Sequence, residues 1–261
     1  LMSVENQNYP IRHIIIDGSG SKQTKEFCKE YFPRVEVHAQ VPRGIYTAMN
    51  FGIEMVDDRS FVMFLNEADF LLGPEAISKL FSSVRDRSCW AYGGTLAFSK
   101  NDDRTLLYGY NTPLWRNFKM GLDLIPHPSS VIPGIWLKKQ KGYKDYFKIA
   151  ADTEMNFRIY KKYGPPVHIQ ELISAHEIGG ISTLLERRSK FESRWARFLN
   201  FPIFTLRKLP RSVFYRMCNA ENESVIDLET TNSSYTHFEN CKLEDMIPLC
   251  CRRALLESGQ A

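Results

Sequence analysis

The sequence predicts an α/β fold in which a mostly parallel sheet is covered by helices on both faces. Three observations carry that expectation. Short β-branched apolar runs alternate with segments of helical period, the apolar runs end in polar loops that carry acids, and the composition is that of an ordinary globular chain. The 261 residues are 43% hydrophobic and 25% charged, enough to enclose a sizeable core.

His13-Ile14-Ile15-Ile16 is a continuous apolar run ending in Asp17-Gly18-Ser19-Gly20-Ser21, the pattern of a buried parallel strand followed by a tight polar loop. A helix follows over about Gln23 to Tyr31 and stops before Pro33. Val35-Glu36-Val37-His38 alternates as a second short strand, and Tyr46, Met49, Ile53 and Val56 then recur at helical spacing from Gly44 onward. Phe61-Val62-Met63-Phe64-Leu65 is the most apolar strand and runs into Asn66-Glu67-Ala68-Asp69. Gly73-Pro74-Glu75 opens another helix, with Ile77, Leu80, Phe81 and Val84 on one face. Trp90 to Gly94 and Leu106 to Tyr110 read as strands that extend the sheet, and Asp152 to Tyr163 as a helix entered through Ala150-Ala151. In sheets of this kind ligands bind outside the carboxyl ends of the strands.

The character changes near Ser189. Aromatic residues interleave with Arg and Lys as far as Met217, and beyond Asn219 the chain is polar and acidic with weak periodicity. The expected organisation is one α/β domain over 1–188 and a helical or irregular extension over 189–261, partly disordered after about residue 219.

The charge balance, 34 Lys and Arg against 30 Asp and Glu, leaves +4, too mild to argue for wholesale binding of a phosphate backbone, and no nucleic-acid partner is expected. The six cysteines include no CxxC pair suited to zinc and read as reduced thiols. With no basic segment leading into an apolar stretch and no run of about 18 apolar residues, the expected compartment is the cytoplasm.

Asp17 and Asp69 each follow an apolar strand. Carboxylates at two neighbouring strand ends can hold a polar ligand from two sides, and their hard oxygens suit Mg²⁺ or Mn²⁺ shared with a diphosphate. An isolated Asp in a loop is equally an ordinary turn or cap residue. Asp152 lies in the first turn of a helix, where the dipole favours an acid whatever its function. Arg43, just before the helix that starts at Gly44, either joins helix N–H groups in holding phosphate or is a solvated surface arginine.

The ordered set is more specific than its members. Ser3 to Pro10, Ile14-Ile15-Ile16-Asp17-Gly18-Ser19, Arg43 to Gly52, Phe64 to Asp69, Phe147 to Glu154 and Gly179-Gly180-Ile181-Ser182 together resemble family 2 glycosyltransferases of the GT-A fold, over roughly residues 3 to 190. The resemblance implies transfer of a sugar from a nucleotide-sugar donor to a glycan or lipid-linked acceptor, with inversion at the anomeric carbon. Asp17, with Gly18 and Ser19, would then contact base and ribose. Asp69 would be the last acid of a metal motif for Mn²⁺ or Mg²⁺, with Glu67 helping directly or through another ligand. Asp152 would take the acceptor's proton, with Glu154 as the alternative base, and Arg158 would pair with a carboxylate. Asn50 and Gly52 match the family's helix signature, as nucleotide contacts or as packing residues. His127 would orient acceptor or phosphate, or be a loop histidine bonded to backbone, and His176 would be a late metal ligand.

Departures from the family pattern bear on activity. The chain is expected to lack the family's first strand and part of its first helix, which would leave a sheet edge exposed. Ser19-Gly20-Ser21-Lys22 loses an acid and gains a base, Pro42 replaces an acid, and Glu67-Ala68-Asp69 stands where paired Asp is usual. A fragment, or an inactive domain that binds nucleotide or protein, is the alternative. The segment Phe198 to Arg216 mixes aromatic and basic residues. It either rests on an anionic membrane surface or packs as a C-terminal helix interrupted by Pro202 and Pro210.

Overall fold

The computed structural model describes residues 1–41, 43–82, 84, 88–99, 105–111, 113, 115–121, 123–179, 185–202 and 236–237. Pro42, Gly180 to Ser182, the basic-aromatic segment from Ile203 to Arg216 and nearly all of the chain after Asn219 lie outside these residues.

The α/β class is as expected. The helices are α1 (Met2–Glu5), α2 (Gln23–Tyr31), α3 (Ile45–Met55), α4 (Ala76–Ser82), α5 (Trp115–Lys119), α6 (Gly134–Lys139), α7 (Ala151–Tyr163) and α8 (Glu186–Asn200). The strands are β1 (Ile14–Asp17), β2 (Glu36–Ala39), β3 (Phe61–Val62), β4 (Phe70–Leu71), β5 (Ala91–Phe98), β6 (Thr105–Tyr108), β7 (Ser130–Pro133), β8 (Val167–Glu177) and β9 (Thr236–His237).

The pairing corrects the expectation of a mostly parallel sheet. β1–β2 and β5–β8 are parallel, whereas β3–β7, β4–β8, β5–β6, β5–β7 and β6–β9 are antiparallel. Strand and helix alternate cleanly only up to β3, which β4 follows directly; β5 and β6 are joined by residues 99–104 alone, too short a connection for a crossover helix, and so pair antiparallel. The sheet is also in two pieces. β1 pairs with β2 alone among the described residues, and all four residues of β1 stay half-buried where a buried strand was expected.

The larger sheet is built around β5, every residue of which is buried. β8 runs along one of its edges, so β7 at Ala91–Tyr92 and β6 at Thr95–Phe98 share the other. β8 slips in register between Tyr92 and Thr95, and Gly93 lets its backbone come close. A Cβ at Gly93 would stand 2.8 Å from the Glu171 carbonyl oxygen.

Successive strand residues face opposite layers. Ala91 and Val131 join Leu71, Ile77, Leu80, Ile169 and Ile173 beneath α4. Their neighbours Tyr92 and Ile132 join Tyr46, Met49, Ile53, Trp136, Met155 and Ile159 from α3, α6 and α7. Helices therefore cover both faces. The apolar run Phe61 to Leu65 forms a ladder only at Phe61 and Val62, because its last residues leave β7 to pack: Met63 and Leu65 go to the α4 layer and Phe64 to the other.

The composition change near Ser189 falls inside α8, which packs on α7. Glu192, only 6% exposed, points inward and accepts the N–H groups of Lys148, Ile149 and Ala150 at 2.9, 2.8 and 3.1 Å. Arg188 Nε donates to the same carboxylate at 2.7 Å. Burial raises the Glu192 carboxyl, but Arg188 and the three amides outweigh it and hold the acid below its ordinary value. These amides belong to the loop that leads into α7, where Ala150 offers no capping side chain, so Glu192 ties that loop down from another helix.

Glu192→Ala leaves that entry without an acceptor and is expected to cost roughly 2–4 kcal/mol in urea denaturation. Glu192→Gln, which keeps one acceptor oxygen, should recover part of the loss.

Candidate active site

Asp152 stands in the first turn of the 13-residue helix α7. The Tyr46 hydroxyl, on the first turn of α3, lies 3.3 Å from Asp152 Oδ1 and also donates to the Ile149 carbonyl. Burial first, then the Asp152 charge, pushes the Tyr46 hydroxyl far above its ordinary range, so it remains a donor. Glu154 faces away. It is 3% exposed and both its oxygens take Arg158 Nε, at 2.8 and 2.9 Å, so Arg158 has the carboxylate partner expected of it and Glu154 is engaged away from Asp152.

His127 shares the neighbourhood of Asp152. Its ring stacks on Phe64 with centroids 5.7 Å apart and meets the edge of Tyr143 at 6.1 Å. Burial lowers its pKa while the Asp152 charge opposes the change. Its Nε2 is buried and has no hydrogen-bond partner among the described residues, which is uncommon for a polar atom in a folded interior. The alternative of a loop histidine satisfied by backbone does not describe that nitrogen.

Phe64 connects this cluster to the loop after β3, two residues before Asn66. In that loop Asp69 Oδ2 accepts the Asn66 N–H at 2.9 Å, and Ala68 takes the left-handed conformation (φ 69°) that closes the turn. Burial raises the Asp69 carboxyl to about 6, opposed only by the Asn66 amide. Such an acid is short of positive charge. A divalent cation fits it, and exposed Glu67 offers a second hard oxygen donor. Among the described residues no group of three or more His, Cys, Asp or Glu gathers as a ready metal cage, so the remaining ligands would come from diphosphate and water.

Asp17 sits apart from Asp152, at the end of β1. Its Oδ1 accepts the Ser19 N–H at 2.8 Å, and Ser19 and Thr24 hold the carboxyl below its ordinary value. Gly18, Ser19 and Arg43 are exposed. Gln40 joins this end to α3: its N–H donates to the Asp17 carbonyl at 2.9 Å and its Nε2 lies 3.4 Å from the Thr47 carbonyl. The end of β1 that carries Asp17 is therefore tied to the first turns of α3, the helix that carries Tyr46. Asn50 is turned inward. Its amide bridges both backbone groups of Tyr143, at 2.9 and 2.7 Å, and so fixes the ring that borders His127. His176 bonds the Tyr108 hydroxyl at 2.7 Å, and burial lowers its pKa to about 4.

Tyr46 and Tyr143 escaped the sequence reading as site residues. Tyr46 carried a signal only as one of the apolar positions of α3, which hides its hydroxyl; Tyr143 carried none.

The sequence model of "Glycosyl transferase family 2" matches residues 1–147. Among solved structures, TarS 1-349 of S. aureus in complex with UDP is 12% identical, with a TM-score of 0.51 over 76% of this chain and 59% of that one. The mannosyltransferase PcManGT from Pyrobaculum calidifontis, in complex with GDP-Man and Mn²⁺, is 11% identical with a TM-score of 0.54, over 86% of this chain and 71% of that one. The chain thus spans about three fifths of the length of TarS 1-349. No curated protein matches it. At these identities the structural likeness speaks for the GT-A fold, and with the family match over 1–147 it establishes that the chain belongs to glycosyl transferase family 2.

Proposed function

We propose that this chain carries the catalytic domain of an inverting glycosyltransferase that moves a sugar from a nucleoside-diphosphate donor to a hydroxyl of a glycan or lipid-linked acceptor. The observation that carries the proposal is Asp152, held at a helix N-terminus by Tyr46 beside the unpaired Nε2 of His127. Asp152 takes the proton of the acceptor hydroxyl as that oxygen bonds to the anomeric carbon. The bond from that carbon to the diphosphate breaks and the electron pair leaves with the nucleotide. His127, kept neutral by burial, orients the acceptor or a phosphate oxygen through Nε2. Asp17, Gly18 and Ser19 bind base and ribose, and Arg43 meets phosphate beside the N-terminus of α3. Asn50 acts on the donor site indirectly, through Tyr143.

Asp69, helped by Glu67, holds Mn²⁺ or Mg²⁺, which when bound offsets charge on the departing diphosphate. The UDP of TarS 1-349 and the GDP-Man and Mn²⁺ of PcManGT support a nucleotide-sugar donor and a divalent ion. Among the described residues no helix is long and apolar enough to cross a membrane.

A screen of nucleotide-sugar donors, with Asp152→Asn as control, tests the assignment. Transfer should fall about 10²–10⁴-fold in that variant while nucleoside diphosphate still binds in Mn²⁺. Transfer that survives the substitution removes Asp152 as the base, and a full chain that binds nucleotide but turns over no donor is a binding module.

Asp69→Asn separates stability from function. The folded-state pKa of about 6 lies above the ordinary 3.8, so the folded protein holds this proton more tightly than the unfolded chain. The resulting penalty grows as pH rises from 3.8 towards 6 and is fully present at neutrality. Asp69→Asn should therefore be more stable to unfolding than the parent at pH 7, by about 1–3 kcal/mol, with no gain below about pH 4. The same variant should lose Mn²⁺-dependent nucleotide binding. In the parent that binding should weaken as pH falls through about 6, because a protonated acid is a poor ligand.

A further inference from the structure

Helix α8 has two faces of opposite character. Glu192, Ala196 and Asn200 recur every fourth residue and are buried against α7 and its entry loop. One residue earlier in each case, about 100° round the helix, Phe191, Trp195 and Leu199 recur at the same interval and remain 60%, 40% and 42% exposed. Trp195 also stacks on Phe198, centroids 5.7 Å apart, so the exposed stripe is largely aromatic. An apolar stripe of this size on a surface helix marks something that covers it.

The charge around the stripe says what. Arg187, Arg188, Lys190 and Arg194 are exposed on the same helix, whose only acids are Glu186 and Glu192. Glu186 is paired with Lys190 at 2.6 Å, and Glu192 is turned inward. Arg187 and Arg194 make no ion pair among the described residues. At the C-terminal end of the helix a cleft of about 340 Å³, lined by Gln140, Arg158, Lys161, Lys162 and Asn200, adds two exposed lysines. Aromatic and aliphatic side chains flanked by arginine suit the boundary between lipid headgroups and acyl chains, where the rings enter the bilayer and the guanidinium groups meet anionic phosphate.

We infer that the outward face of α8, Phe191, Trp195 and Leu199 with Arg187 and Arg194, docks this domain on an anionic phospholipid surface. Of this face only Leu199 belongs to the Phe198 to Arg216 segment; the other four residues precede it on α8. It holds whether or not the chain transfers sugar.

Flotation of the full chain with vesicles of phosphatidylcholine, alone or with about 30% phosphatidylglycerol, tests it. The chain should float with the anionic vesicles, stay behind with the neutral ones, and lose binding as salt is raised. Arg187→Glu with Arg194→Glu should weaken flotation at least about tenfold. Phe191→Ala with Trp195→Ala should do so through lost insertion, and both pairs should keep the parent's circular dichroism because all four side chains are exposed. Absence of flotation, equal binding to neutral vesicles, or binding that both double variants retain would each overturn the inference. A dimer that forms in its place and is broken by Phe191→Ala with Trp195→Ala would assign the face to a second copy.

Discussion

The entry of α7 is the constraint on which the site depends. Three consecutive amides, Lys148, Ile149 and Ala150, arrive at a helix N-terminus with no capping side chain of their own. Glu192 takes all three from one side while Tyr46 takes the Ile149 carbonyl from the other. A peptide plane gripped at both its polar ends has little freedom, and Asp152 follows two residues later. Its orientation is thus set by α3 and α8, elements far from it in sequence on either side. The role proposed for Asp152, meeting a substrate hydroxyl at close tolerance, needs such support, since a group on an unsupported helix end frays.

The same logic explains why Asp69 is held differently. Asp152 has the Tyr46 hydroxyl beside it, whereas Asp69 has one backbone amide and a desolvating surround. A buried acid with so little compensation destabilises the fold at neutral pH. Its place is explained when positive charge arrives from outside, as a divalent ion would bring it. The stability of the apo domain and the cation binding proposed for it are then two readings of one poorly compensated carboxylate.

Much of the fold was legible because it is local. The Ile14 to Ile16 run, the helix of Tyr46, Met49 and Ile53 and the stop before Pro33 are each written in a few adjacent residues, and each element forms within a residue or two of where the pattern places it. β8 was not legible. Its alternation Val167, Ile169, Ile173, Ala175 is broken by the register slip opposite Gly93, and polar Gln170 and Glu171 fall within it. Pairing direction was hidden for a different reason: a run such as Ala91 to Phe98, buried throughout, reads the same whether its neighbours are parallel or antiparallel. In the site, acids at the ends of apolar runs could be picked out one by one, but the partners that define their chemistry are non-local. Tyr46 and Glu192 meet the loop before Asp152 from separations of 103 and 42 to 44 residues, and no spacing rule reaches that far.

Helix α8 shows how one short segment can serve two ends. Its inward period places Glu192 on the loop that sets Asp152, and its outward period places Phe191, Trp195 and Leu199 in solvent. The two sets are offset by one residue. A helix is about 10 Å across, so whatever rests on the outer stripe lies close to the loop that orients Asp152, the proposed base. The composition that separates 186–200 from the domain in sequence belongs to the outer face alone; the inner face, carried by one glutamate, an alanine and an asparagine, is what makes the helix part of the site.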